Sequence, residues 1–144
     1  MKKAFTLLEI LLVIGIIALL AAALIIAINP GRQFAKTRNA QRWSDVNAIL
    51  SAVIQNMSDN RGKFNCAAGD IPDTPTVMAS TGGYNIAPCL VPTYLPSMPY
   101  DPSTGYYNSN TDYNSKYTIS KNPDGRITVS APDAELGETI STTR

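Results

Sequence analysis

Between Ile10 and Ile28 the chain carries no charged or strongly polar side chain, a run of about 19 residues, enough to cross a bilayer as a helix. Just ahead of it, between Leu8 and Ile10, stands one acid, Glu9. A carboxylate at that depth costs several kcal/mol in hydrocarbon unless a cation pairs with it. If that cation belongs to another molecule, the pair becomes an assembly device. An ordinary secretory signal has a shorter apolar region followed by a small-residue cleavage site. Ala21-Ala22-Ala23 imitate such a site, but the apolar run continues through Leu24 to Ile28. A plain single-span anchor explains the length and leaves Glu9 without a reason.

Beyond the span, Asn29-Pro30-Gly31 either ends the helix as a turn or marks a kink in a helix that continues. The downstream periodicity favours continuation. Val46, Ile49, Leu50, Val53, Ile54 and Met57 recur at three- and four-residue steps, which places them on one helical face. Phe34 and Trp43 extend that face toward the membrane. Ser44, Asp45, Asn47, Ser51 and Gln55 fall mainly on the other, and Asn60 and Gly62 supply a stop. One helix from Phe5 to Asn60 would be about 84 Å long. The chain has only 144 residues, and fewer than a hundred remain to cover such a helix, so its first half would need a membrane or other copies around it.

After Asn60 the chain turns polar and loop-rich, with turn clusters at Asp70-Ile71-Pro72-Asp73 and Ser80-Thr81-Gly82-Gly83. Tyr117-Thr118-Ile119-Ser120 and Arg126-Ile127-Thr128-Val129-Ser130, separated by a turn containing Asp124-Gly125, read as a hairpin. The expected class is α+β: a long N-terminal helix packed on an antiparallel sheet of three or four strands. The run from Ala134 to Arg144 reads equally as an edge strand or a tail. Cys66 and Cys89 would be free thiols in the cytosol; beyond a membrane anchor a disulfide is the better reading, worth about 3 kcal/mol by chain entropy.

The sequence contains no histidine, no nucleophile elbow and no phosphate loop, so a non-catalytic role is expected. Its seven tyrosines are not interleaved with a basic stripe, because Lys116 and Arg126 are isolated, so no nucleic-acid surface is expected. Asn56-Met57-Ser58 matches a glycosylation sequon but falls on the expected helix.

Lys2-Lys3-Ala4-Phe5-Thr6-Leu7-Leu8-Glu9-Ile10-Leu11-Leu12-Val13 resembles the N-terminal motif of type IV pilins and the related type II secretion pseudopilins. The resemblance implies a leader of residues 1–4, cut by a prepilin peptidase between Ala4 and Phe5, with N-methylation of Phe5. The family usually has glycine where this chain has Ala4. It further implies that Glu9 pairs with the amine of Phe5 in a neighbouring copy. Residues 5–29 would then form the span and filament core, 30–60 the amphipathic continuation, and 61–144 a globular head. In such filaments the helix unwinds near breakers, here Gly15 and Pro30. Lys2 and Lys3 nearly balance Arg32, Lys36, Arg38 and Arg42 across the span, so orientation follows the resemblance: leader in the cytoplasm, head outside.

The function implied is a pilus subunit moving from the cytoplasmic membrane into an extracellular filament for adhesion, twitching motility or DNA uptake. Its partners would be copies of itself, the prepilin peptidase, and the assembly platform with its ATPase. The alternative is a pseudopilin of a secretion or competence system. Pro99-Tyr100-Asp101-Pro102 resembles the segment before the sheet in pseudopilins. Those proteins hold calcium nearby, and Asn108, Asn110 and Asp112 open like a calcium loop. Tyr113 replaces its turn glycine and Ile119 its closing glutamate, so a solvated turn without a cofactor is expected.

Overall fold

A computed structural model describes residues 4–144, apart from the side chains of Ile26 and Ala27. Met1, Lys2 and Lys3 of the expected leader lie outside the described residues. The chain divides into two compact units, residues 1–35 and 36–144.

Helix α1 spans Leu7–Ile28, 22 residues or about 33 Å, close to the thickness of a bilayer core. Thr6 caps it: the backbone is extended there, and the hydroxyl accepts a hydrogen bond from Glu9 N at 3.2 Å. Gly15 lies inside the helix without interrupting it. The interruption comes at Asn29, whose φ of 47° is left-handed. Helix α2, Pro30–Asp59, begins immediately afterwards. The helix expected to continue past a kink at Pro30 is divided at that point into α1 and α2. A residue before proline is driven out of the right-handed region, and proline itself suits the first helical position. Asn29 tolerates the left-handed turn and caps α2, its side-chain oxygen accepting from Arg32 N at 3.3 Å.

In the second unit α2 runs to Asp59 and closes with Gly62 N bonded to Met57 O at 2.8 Å across a left-handed Arg61. Five antiparallel strands follow: β1 (Thr76–Ala79), β2 (Tyr106–Ser109), β3 (Asp112–Lys121), β4 (Ile127–Ala131) and β5 (Ile140–Thr143). A short helix, α3 (Ala87–Leu90), lies between β1 and β2. The order is β1-β3-β4-β5, with β2 also on β3. Because Asn114 pairs with both Ala79 and Tyr106, β1 and β2 flank β3 on opposite sides. The expected hairpin is β3–β4, in register Ile119 to Val129, and its turn uses Gly125 at φ 84°. The sheet has five strands rather than three or four, because two four-residue segments, β1 and β2, both pair with β3. The C-terminal run contributes an edge strand, β5.

The core forms where α2 meets this sheet. Val46, Ile49, Leu50 and Val53 are fully buried against Tyr117, Ile119, Ile127, Val129 and Ile140. Alternation along β3 and β4 sends these side chains to one face, which loses apolar area to solvent at about 25 cal/mol per Å². Ile54, Met57 and Trp43 pack at its edge. Phe34, on the extension of the apolar face toward the membrane, is 64% exposed, and Asp45, expected on the opposite face, is buried. Cys66 and Cys89 form a disulfide, with Cα atoms 5.2 Å apart, tying the loop after α2 to α3. The architecture is α+β, an apolar helix continuing into one that packs on a small antiparallel sheet, consistent with a pilin-like fold.

Candidate functional site

The candidate site of the first unit is the surface of α1. From Leu7 to Ile25 none of the helix is buried, and it is long and apolar enough to cross a membrane. Leu7 is 83% exposed and Leu19 74%, so the exposure runs all round the helix instead of favouring one stripe. Ala4, Phe5 and Thr6 precede the helix in non-helical conformation, and all three are exposed. Phe5, Leu7, Ile10, Leu11 and Ile14 form an open, nearly flat apolar patch on this surface.

Glu9 lies in the first turn of α1 and makes no ion pair among the described residues. Its position has a local explanation that sequence reasoning missed. Thr6-Leu7-Leu8-Glu9 has the spacing of a capping box, a signal present in the sequence. A carboxylate near a helix N-terminus gains about 0.3–1 kcal/mol from the aligned peptide dipoles. Burying it in hydrocarbon costs several. The cap stabilises the helix end but does not offset burial, so an apolar environment at Glu9 still requires a cation.

The head contains a polar cluster that the sequence reading did not foresee. Arg42 is 1% exposed, and each of its five N–H donors has an acceptor. Nε donates to Asp101 Oδ2 at 2.7 Å and Nη2 to Asp101 Oδ1 at 3.2 Å. The other three reach Asn39 Oδ1, Glu135 Oε2 and Ser103 Oγ at 2.9, 2.8 and 3.1 Å. Asp101 is positioned by its own loop, Oδ1 accepting from Ser103 N and Thr104 N at 2.8 and 3.1 Å. Gly105 permits that loop to fold tightly, since a Cβ there would lie 2.6 Å from Asp101 N. Asn39 then holds the C-terminal segment, accepting from Glu135 N at 3.0 Å and donating to Glu135 O and Glu138 Oε2, both at 2.8 Å.

The electrostatics follow this geometry. Hydrogen bonds from Arg38 and then Arg42 lower the Glu135 carboxyl to about 2. Burial alone would raise Asp101, but Arg42 and two backbone amides outweigh it and hold the group below its ordinary value. Asp45 behaves oppositely: burial raises it despite hydrogen bonds from the Tyr117 hydroxyl at 2.8 Å and Gln41 Nε2 at 2.7 Å. These charges organise the fold, joining α2 to the loop before β2 and to the segment leading to β5.

The remaining sequence candidates are scattered. Asn108 and Asp112 bond each other at 2.9 Å, while Asn110 accepts from the Tyr107 hydroxyl at 2.8 Å. No group of three or more His, Cys, Asp or Glu side chains comes together among the described residues. Asn56 of the sequon is buried, bonded to Asn65 N and O at 2.8 and 3.2 Å. Compared with protein-family models, curated proteins and solved structures, the chain matches none.

Proposed function

We propose that this chain is the structural subunit of a type IV pilus or a closely related filament, anchored in the cytoplasmic membrane before assembly and packed against copies of itself afterwards. The observation that carries the reading is α1: a membrane-length helix with no buried part, bearing a carboxylate and no described cation to pair with it. Hydrocarbon or neighbouring apolar helices satisfy the leucine and isoleucine surface equally well. Glu9 separates the two environments, because only a neighbouring chain supplies a fixed positive group. In this reading a prepilin peptidase cuts between Ala4 and Phe5, and the freed, methylated amine of Phe5 in one copy pairs with Glu9 in the next. The non-helical, exposed segment Ala4–Thr6 suits a peptidase, and removing Ala4 leaves the Thr6 cap intact. The assembly platform and its ATPase would add subunits, and adhesion, twitching motility or DNA uptake would be the filament's work.

Intact-mass measurement of the chain recovered from membranes tests the cut: the expected product lacks Met1 to Ala4 and carries one methyl on Phe5. Glu9→Ala tests the pairing, with membrane retention unchanged and filaments lost. Filaments of normal abundance from that variant would refute the pairing, and an unprocessed chain would refute the amine as its partner.

A further inference from the structure

At the far end of α2 the head carries a partly open pocket of about 280 Å³ built from four separate stretches of chain. Met57 comes from the last turn of α2, Lys63 and Phe64 from the loop after it, Asp70 and Ile71 from the following bend, and Lys121 and Ile127 from the β3–β4 hairpin. Lys121 shares the face of Ile119 by strand alternation, which turns it toward α2 and the pocket. Arg144 and Ile127 exchange backbone hydrogen bonds at 2.7 and 3.0 Å, so this third cation stands beside Ile127 on the same face.

None of these charges is held in an ion pair among the described residues. Lys63, Lys121 and Arg144 make no ion pair among the described residues, and the Asp70 carboxylate accepts no ion pair or side-chain hydrogen bond. The contrast with Arg38 and Arg42, whose guanidinium donors are committed to carboxylates, is sharp. Lys63 and Lys121 line the same cavity as Asp70 and yet leave it unpaired. The cavity thus offers two ammonium groups, one separate acceptor and apolar surface from the half-buried Met57 and Phe64, with Ile71 and Ile127 buried behind them.

We infer that this pocket binds a single acidic pyranose, a sugar ring bearing a carboxylate. The lysines would hold the carboxylate through charge-assisted hydrogen bonds, Asp70 would accept from ring hydroxyls, and the apolar surface would cover a C–H face of the ring. The volume lies just under the range of pockets for drug-sized ligands, which suits one ring rather than an extended chain. A simple inorganic anion would use the lysines and leave both Asp70 and the apolar surface without a role. The site belongs to the head alone and does not depend on filament assembly.

The test uses the full chain in detergent micelles, with binding of D-glucuronate, D-glucose, acetate and sulfate followed by ligand-observed NMR. Glucuronate is expected to bind more tightly than the other three. Lys63→Gln and Lys121→Gln should each weaken it about tenfold, the loss of one charge-assisted hydrogen bond. Asp70→Asn should reduce the preference for glucuronate over acetate while leaving acetate unchanged. Thermal unfolding of each variant, expected to match the parent, separates lost binding from lost folding. Equal binding of glucose and glucuronate, sulfate or acetate binding as tightly as glucuronate, undiminished binding by both lysine variants, or no binding of glucuronate at millimolar concentration would each overturn the assignment.

Discussion

Arg42 and Asp101, 59 positions apart in sequence, meet in a two-pronged ion pair with both side chains 1% exposed. The pair fastens the loop before β2 to the middle of α2. Through Glu135 the same guanidinium also reaches the segment leading to β5. Two charges out of water are expensive, and this geometry meets that cost by giving every Arg42 donor an acceptor.

Arg42→Met is expected to destabilise the head by about 3–5 kcal/mol, because it strands the Asp101 carboxylate in a site without a cation. Arg42→Met with Asp101→Leu should recover much of that loss by removing both charges. Denaturant unfolding followed by Trp43 fluorescence measures both. A single variant within about 1 kcal/mol of the parent would contradict the buried pair.

Stability should fall with acid through the carboxylates that this cluster holds ionised. Glu135 is lowered from its ordinary 4.5 to about 2, and Asp101 is also held below its ordinary value. A depressed carboxyl contributes fully above its unfolded value and loses that contribution as pH drops toward its folded value. The melting temperature should therefore decline from pH 4.5 down to about 2, and Glu135→Gln should flatten that decline.

Asp45 has the opposite sign. Burial raises its folded value, so the charged form costs stability near neutrality and acid relieves the cost. Asp45→Asn keeps an acceptor for the Tyr117 hydroxyl and removes the charge. Its stability relative to the parent should be more favourable at pH 7 than at pH 4. Paired unfolding curves at the two values check it, and the reverse ranking would exclude burial as the controlling cause.

At the helix break, Asn29 supplies both a left-handed backbone and a side-chain cap. Asn29→Gly keeps the backbone conformation and should cost only a few tenths of a kcal/mol. Asn29→Ala loses the cap, about 1 kcal/mol, and meets the left-handed penalty of about 1–2 kcal/mol as well. Helix content by circular dichroism in micelles during thermal melting should rank parent, Gly, Ala. Equal behaviour of Gly and Ala would remove the backbone argument.

The features readable in the sequence were those whose physics is local. Nineteen residues of α1 are long and apolar enough to span a membrane whatever the head does, because hydropathy and length are counted along the chain. The β3–β4 hairpin and the apolar stretch Val46–Val53 followed from periodicity and a glycine turn for the same reason. Even the Thr6–Glu9 cap was present as a spacing.

What only the tertiary structure decided is the fate of polar residues on that same helical stripe. Asn39, Arg42, Val46, Ile49, Val53 and Asn56 follow one another at three- and four-residue steps, and all are buried. The pattern is continuous, but its polar members look solvated until Asp101, Glu135 and Asn65 arrive from distant loops to satisfy them. The pocket between Lys63, Asp70 and Lys121 has the same origin. An apolar side chain needs only the absence of water, which periodicity forecasts. A polar one needs a specific partner at hydrogen-bond distance, and the fold alone brings that partner within reach.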